Sequence, residues 1–164
     1  MRLVVMGVAG SGKTAVGQAV AARTGWPFLD GDDFHTPEAR ARMAVGEGLR
    51  DADRWPWLVR LCGQLESRAD VVLACSALKW TYRDALRGEG VRFVFLNVPE
   101  ALLRLRLEHR AGHYAHANLL PSQLATLQVP GPDELDVLTL SVTFADSPEE
   151  LAGRALERLA VAHA

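Results

Sequence analysis

Gly7-Val8-Ala9-Gly10-Ser11-Gly12-Lys13-Thr14 follows directly on the apolar run Leu3-Val4-Val5-Met6 and leads into a stretch of helical spacing over 13–24. The octapeptide fits G-x-x-x-x-G-K-[ST] in the strand-to-helix setting that gives this pattern its meaning. Each residue type has a physical reason. Glycines let successive backbone N–H groups turn inward around an anion, and the start of the helix adds positive potential. The Lys13 ammonium reaches the β and γ phosphates, and the Thr14 hydroxyl is a hard oxygen ligand suited to Mg²⁺. Gly7, Ala9, Gly10, Ser11, Gly12, Lys13 and Thr14 are therefore read as a nucleotide cradle. A dinucleotide fingerprint does not fit, because Ala15 stands where G-x-G-x-x-G requires its third glycine.

Outward from this loop, 164 residues with 49% hydrophobic side chains, 23% charged and a net charge of −2 describe one globular domain with a real core. A chain of this length buries roughly 70% of its unfolded surface, so neither disulfides nor a structural metal is required. Cys62 and Cys75 match no metal-ligand spacing and read as reduced thiols, with a single bridge as the alternative. Near-neutral charge without a basic block argues against a nucleic-acid partner. The apolar start weakly imitates a secretory signal, but Gly7, Gly10, Gly12 and Lys13 interrupt it too early, and no run reaches the length of a membrane span. The expectation is a cytoplasmic protein with no membrane partner.

Apolar β-rich runs at 3–6, 71–75, 91–98 and 138–142, with a shorter one at 27–29, alternate with helical spacing at 13–24, 37–45, 55–69, 80–87, 99–110, 122–127 and 148–162. Continuous rather than alternating apolar strands predict a five-stranded parallel sheet covered by helices on both faces. Ser147, Pro148, Glu149 and Glu150 open the last helix with a capping hydroxyl, a proline at N1 and acids near the positive end of the dipole. Residues 111–136 hold Gly112, Pro121, Pro130, Gly131 and Pro132 between two well-marked elements. Long apolar insertions of this kind are read as mobile lids.

The second strand ends in Asp30-Gly31-Asp32-Asp33, at the carboxyl edge where ligands of open α/β sheets bind. Asp30 is the candidate to help Thr14 hold Mg²⁺, and Asp32 the candidate to orient or deprotonate an acceptor hydroxyl. A solvated acidic turn capping the next helix is the alternative. Of eighteen basic side chains two are lysines, Lys13 and Lys79, so an arginine-biased chain keeps a compact ammonium at only these places. An ordinary surface residue is the alternative for Lys79. No N-K-x-D string supports a GTPase, since Asn97 is followed by Val98, Pro99 and Glu100.

Beyond these motifs the chain carries Asp30-Gly31-Asp32 with Phe34-His35, Asp53-Arg54, Pro56-Trp57-Leu58, Cys75-Ser76-Ala77-Leu78-Lys79, Tyr82-Arg83-Asp84, Gly112-His113-Tyr114 and Ser122-Gln123. Taken together, nearly the whole chain resembles the gluconate kinase family, small P-loop kinases related to shikimate and nucleoside monophosphate kinases. The resemblance implies a P-loop NTPase three-layer α/β/α sandwich with a lid, phosphorylating D-gluconate on its 6-hydroxyl with ATP and Mg²⁺ as a homodimer. It places Arg106 near the adenine, Arg110 near the phosphates and His113 on the substrate side. A solvated helix face is the alternative for both arginines. The chain departs from the family at Thr36, Ala39, Arg42, Gly48, Ala115, His116 and Leu124, mostly on the acceptor side.

A substrate with one carboxylate and many hydroxyls needs fixed cations, and Arg54, Lys79 and His35 are the candidates. Trp55 and Trp57 are read as packing rather than sugar stacking. His109, His113 and His116 are not read as a zinc site, because Gly112 breaks the helical register and nothing completes the set. The catalytic pair is expected to be Lys13 and Asp32. The alternatives are a kinase for another small hydroxy acid and a non-catalytic ATP-binding regulatory domain.

Overall fold

The computed structural model describes residues 1–109 and 114–161. Five strands, β1 (Arg2–Met6), β2 (Phe28–Asp30), β3 (Val71–Cys75), β4 (Val91–Asn97) and β5 (Val137–Ser141), form one sheet in the order β2-β3-β1-β4-β5. Every pairing is parallel. Helices α1 (Lys13–Thr24), α2 (Pro37–Ala44), α3 (Asp51–Glu66), α4 (Trp80–Leu86), α5 (Glu100–Glu108), α6 (Tyr114–Thr126) and α7 (Pro148–Val161) complete the α/β fold expected from the apolar runs.

The strands carry the fold because both of their faces are dry. In β1, Val4 and Met6 enter one core with Trp57, Leu61 and Phe93, while Leu3 and Val5 enter the other with Val16, Val20 and Ala152. Side chains alternate across a strand, so the apolar run Leu3-Val4-Val5-Met6 has to be covered on both sides. The register pairs Met6 with Cys75 and Asp30 with Ala74, which brings the loops after β1, β2 and β3 to a common edge.

Two helices begin earlier than the sequence predicts. The sequence places the start at Trp55, yet α3 begins at Asp51, with the Asp53 carboxylate accepting from the Arg50 N–H at 3.0 Å. Proline inside a helix costs about 3 kcal/mol. Here the carbonyl that loses its donor belongs to exposed Ala52 and can face water, and burial of Trp57, Leu58, Leu61 and Leu65 outweighs the loss. Likewise α6 runs through Pro121, where the sequence predicts only 122–127, because Leu119 and Leu120 are buried and Leu120 seats the helix on the third apolar cluster with Val8, Leu103 and Leu107. The predicted capping of α7 is present: Ser147 Oγ accepts from the Glu150 N–H at 3.1 Å, and Glu150 Oε2 accepts from the Ser147 N–H at 2.9 Å.

The residues after α6 are held by a buried ion cluster. Arg83 donates from Nε and Nη2 to both oxygens of Glu134 at 2.8 and 2.6 Å, and Arg87 donates to Glu134 and Asp136 at 2.5 and 2.8 Å. The paired guanidinium of Arg83 holds the Glu134 carboxyl below its usual range. Removing one partner of such a pair strands the other charges, at about 3–5 kcal/mol. Chemical denaturation of Glu134→Gln is expected to show a loss of about 3 kcal/mol at pH 7. A depressed carboxyl contributes its stability in full above its unfolded value of 4.5 and loses it as the pH falls below that. The wild-type advantage over the variant should therefore shrink as the pH falls below the unfolded value, and a pH-independent difference would contradict the ionic account.

Candidate active site

The loop between β1 and α1 turns at Gly10 (φ 81°) and Gly12 (φ 90°), a left-handed backbone that side chains disfavour. At Gly7 a Cβ would lie 2.5 Å from Ser11 Oγ, so the loop closes on itself only with glycine there. Ser11 is buried, and its Oγ has no hydrogen-bond partner among the described residues. Its N–H closes the loop onto the Val8 carbonyl at 3.1 Å. Lys13 Nζ donates to the same carbonyl at 3.5 Å, and no described carboxylate pairs with it. An inward loop, an ammonium without a counter-charge and a helix start make a cradle suited to phosphate.

Two carboxylates face it from the end of β2. Asp30 Oδ2 accepts from Thr14 Oγ1 at 3.4 Å, and Asp30 Oδ1 accepts from the Asp32 N–H at 3.0 Å. Asp30 is thus both a turn cap and a neighbour of the Thr14 hydroxyl, so the two readings of this acidic turn coexist. Gly31 allows the turn to lie against β3, since a Cβ would sit 2.8 Å from both the Ala74 carbonyl oxygen and Cys75 Cβ. Burial pushes the Cys75 thiol beneath this contact up to about 12. Trp57 Nε1 donates to the Gly31 carbonyl at 2.7 Å and locks the turn from the other side. Asp30 and Thr14 offer two hard oxygens, which fits Mg²⁺, an ion that keeps waters and phosphate oxygens as its other ligands.

A cavity of about 300 Å³ opens between the loop and the acids, lined by Lys13, Thr14, Asp32, His35, Arg54 and Gln123 among others. Arg54 is buried, donates to Tyr82 Oη at 3.1 Å and lies over that ring, yet no described carboxylate pairs with it. Trp57 packs in the core and stacks on His35 at 4.4 Å between centroids, in keeping with a packing role.

His35 differs from the expectation of a fixed cation. Burial pushes its imidazole down to about 4, against the opposing pull of Asp32, whose Oδ1 lies 3.9 Å from Nε2. Its Nδ1 is buried without a partner among the described residues. His35 therefore enters the cavity as a neutral hydrogen-bonding group. Lys79 stands outside the cavity lining, holding Asp51 at 2.9 and 3.1 Å, with Asp51 also accepting from the Tyr82 hydroxyl.

Arg106 lies on the far side of the cradle, where its Nη1 donates to the Gly10 and Ser11 carbonyls at 3.2 Å each. It borders a groove of about 410 Å³ with Gly12, His109, Asp146 and Pro148. Arg110 and His113 lie outside the described residues.

Two lining residues carry no signal of their own in the sequence. Ser76 is brought to the wall by a turn in which Ala77 has φ 44°, held by Arg83 donating to the Ala77 and Leu78 carbonyls at 3.1 and 3.2 Å. Gln123 Oε1 accepts from the Ala9 N–H at 2.6 Å. Only their place in the strings Cys75-Ser76-Ala77 and Ser122-Gln123 sets them apart beforehand.

A family model described as shikimate kinase matches residues 9–158. A gluconokinase of Gluconobacter oxydans is 49% identical over 139 residues, covering 80% of this chain and 78% of that one. The crystal structure of a gluconokinase from Sinorhizobium meliloti superposes with a TM-score of 0.88 at 44% identity, covering 98% and 92% of the two chains. A shikimate kinase from Acinetobacter baumannii, in complex with shikimate, reaches 0.65 at 20% identity over 98% and 93%, which is a likeness of fold alone.

The neutral state of His35 can be read directly. Ring nitrogen shifts in NMR are expected to show an uncharged imidazole from neutral pH down through the mildly acidic range, protonating at about 4. A midpoint at or above the ordinary value of 6.5 would restore the cation. Since the folded value lies below that ordinary value, this group should cost stability as the pH falls from 6.5 towards about 4.

Proposed function

The chain belongs to the gluconokinase family of shikimate-kinase-like P-loop enzymes, and from that premise we propose that it transfers the γ-phosphoryl group of ATP to the 6-hydroxyl of D-gluconate, giving 6-phosphogluconate and ADP. The observation that carries the acceptor half is Arg54: a buried guanidinium that no described carboxylate pairs with, lining the same cavity as Lys13 and Asp32. A buried cation calls for an anion. A six-carbon acid presents its carboxylate at one end and its reactive hydroxyl at the other, which suits one cavity with a cation and a carboxylate.

In this reading the loop N–H groups and Lys13 hold the phosphate charge. Thr14 and Asp30 hold Mg²⁺, which supplies neutralisation of charge on the phosphates. Asp32 orients the acceptor hydroxyl and accepts its proton as the new O–P bond forms and the bond to ADP breaks. Arg54 binds the carboxylate, and neutral His35 offers a hydrogen bond to a hydroxyl. His113 completes the substrate side. Lys79 serves at the rim and reaches the substrate only when its pair with Asp51 opens. Arg106 belongs to the nucleotide groove, and Arg110 to the phosphates on closure.

The lid expected over 111–136 does not extend to the last residues of that span, because the Arg83 and Arg87 pairs anchor Glu134 and Asp136. The reading extends to a cytoplasmic homodimer. Free Cys62 and Cys75 support a reducing compartment, and among the described residues no helix is long and apolar enough to cross a membrane.

A coupled ADP-release assay over gluconate, shikimate and other hydroxy acids tests the proposal. Gluconate should give turnover, and Lys13→Ala and Asp32→Asn should each lower kcat by about a hundredfold or more, the scale of positioned electrostatic and acid–base groups. Turnover on shikimate in place of gluconate would favour the other hydroxy-acid reading, absence of any turnover the regulatory one. Wild-type kcat in Asp32→Asn would remove that residue from the chemistry.

A further inference from the structure

The N–H of Ala9, third in the phosphate loop, is satisfied by neither the loop nor the sheet. Its acceptor comes from 114 residues away, the side-chain carbonyl of Gln123 on α6, at 2.6 Å. The loop's ammonium meanwhile rests on the Val8 carbonyl at 3.5 Å. Both groups that would receive phosphate oxygens are thus met by neutral carbonyl oxygens, and one of these belongs to a side chain able to leave. We propose that Gln123 is a positioning residue for the transferred phosphoryl group: its carbonyl holds the place of a terminal phosphoryl oxygen on Ala9 and gives up that place to a nucleoside triphosphate.

Gln123 is aimed at this point by the packing of its helix. Leu120 and Leu124 pack with Val8, Ala9 and Leu103. The helix end is tied down by the Gln128 N–H donating to the Leu78 carbonyl at 2.8 Å and by Gln128 Oε1 accepting from the Trp80 N–H at 2.7 Å. A carboxamide has a carbonyl acceptor and two N–H donors on one planar group. Facing a phosphoryl oxygen, the carbonyl is repelled, whereas half a turn about the last side-chain torsion presents the NH₂. The same side chain then changes from surrogate acceptor to donor toward the transferred group. A diphosphate lacks the γ-phosphoryl whose oxygen would take this place, so Gln123 should separate ATP from ADP rather than favour nucleotides in general.

This rests on the kinase reading above, and the test keeps the two apart. ATP and ADP affinities are measured by calorimetry with Mg²⁺ and without acceptor, for wild type, Gln123→Glu and Gln123→Leu, alongside kcat and KM with gluconate. Gln123→Glu keeps size and the bond to Ala9 but removes both donors and adds charge. Loss of a hydrogen bond to a charged group should lower ATP affinity by about tenfold or more, with ADP affinity within about threefold. Gln123→Leu should lower kcat about tenfold while gluconate KM stays within about threefold and the melting temperature stays close to wild type. An ATP-to-ADP affinity ratio unchanged in Gln123→Glu, equal losses for both nucleotides, or wild-type kcat in Gln123→Leu would each overturn the proposal. If Gln123→Leu does not fold, the isosteric Gln123→Glu ratio decides alone. Failure of the wild type to bind ATP would instead sink the kinase reading.

Discussion

Backbone N–H groups at the start of a helix have no carbonyl of their own to bond, and the arrangement around α1 answers that one demand. A five-stranded parallel sheet delivers the loop after β1 to its carboxyl edge, glycines turn the loop inward, and Lys13 adds a full charge to the partial charges of the amides. A carboxylate near that loop would meet the same donors, and the first turn of α1 carries no acid. The acids stand instead two positions along the sheet, on the turn after β2. There Asp30 is occupied by the Thr14 hydroxyl and the Asp32 N–H, while the Asp32 side chain stays exposed and lines the cavity.

The acceptor side follows a different logic. The phosphate side is built from backbone, whereas the facing wall is built from side chains fixed by burial. Trp57 is pinned to the Gly31 carbonyl, His35 is stacked on Trp57, and Arg54 is held against Tyr82. Rigid groups of this kind can discriminate among acceptors because they cannot adjust to the wrong one. Replacement of one hydroxy acid by another within the fold therefore means changing this wall while leaving the loop alone.

The fold is legible in the sequence because its deciding signals are local. A continuous apolar run, a glycine loop and a helical stretch lie within twenty-four residues, and the order of strands and helices repeats that unit. The starts of α3 and α6 are not legible, since both helices run through a proline, Pro56 and Pro121, where tertiary burial of Trp57 and Leu120 overrides a local penalty. Lys13, Thr14, Asp30 and Asp32 stand out because their roles follow from sequence neighbours. Gln123 and Ser76 do not, since a glutamine on a helix and a serine in a loop acquire meaning only when remote segments meet. The charge state of His35 is equally out of reach, because it depends on how much water the ring loses rather than on its identity.

Cys75 lies directly under the phosphate-binding edge, fully enclosed and paired in register with Met6. Thiol chemistry proceeds through the thiolate, and a thiol raised to about 12 supplies almost none of it near neutrality. Enclosure and a raised thiol together make this sulfur a poor target for peroxide, glutathione and alkylating reagents. The floor of the site is thereby shielded from thiol chemistry.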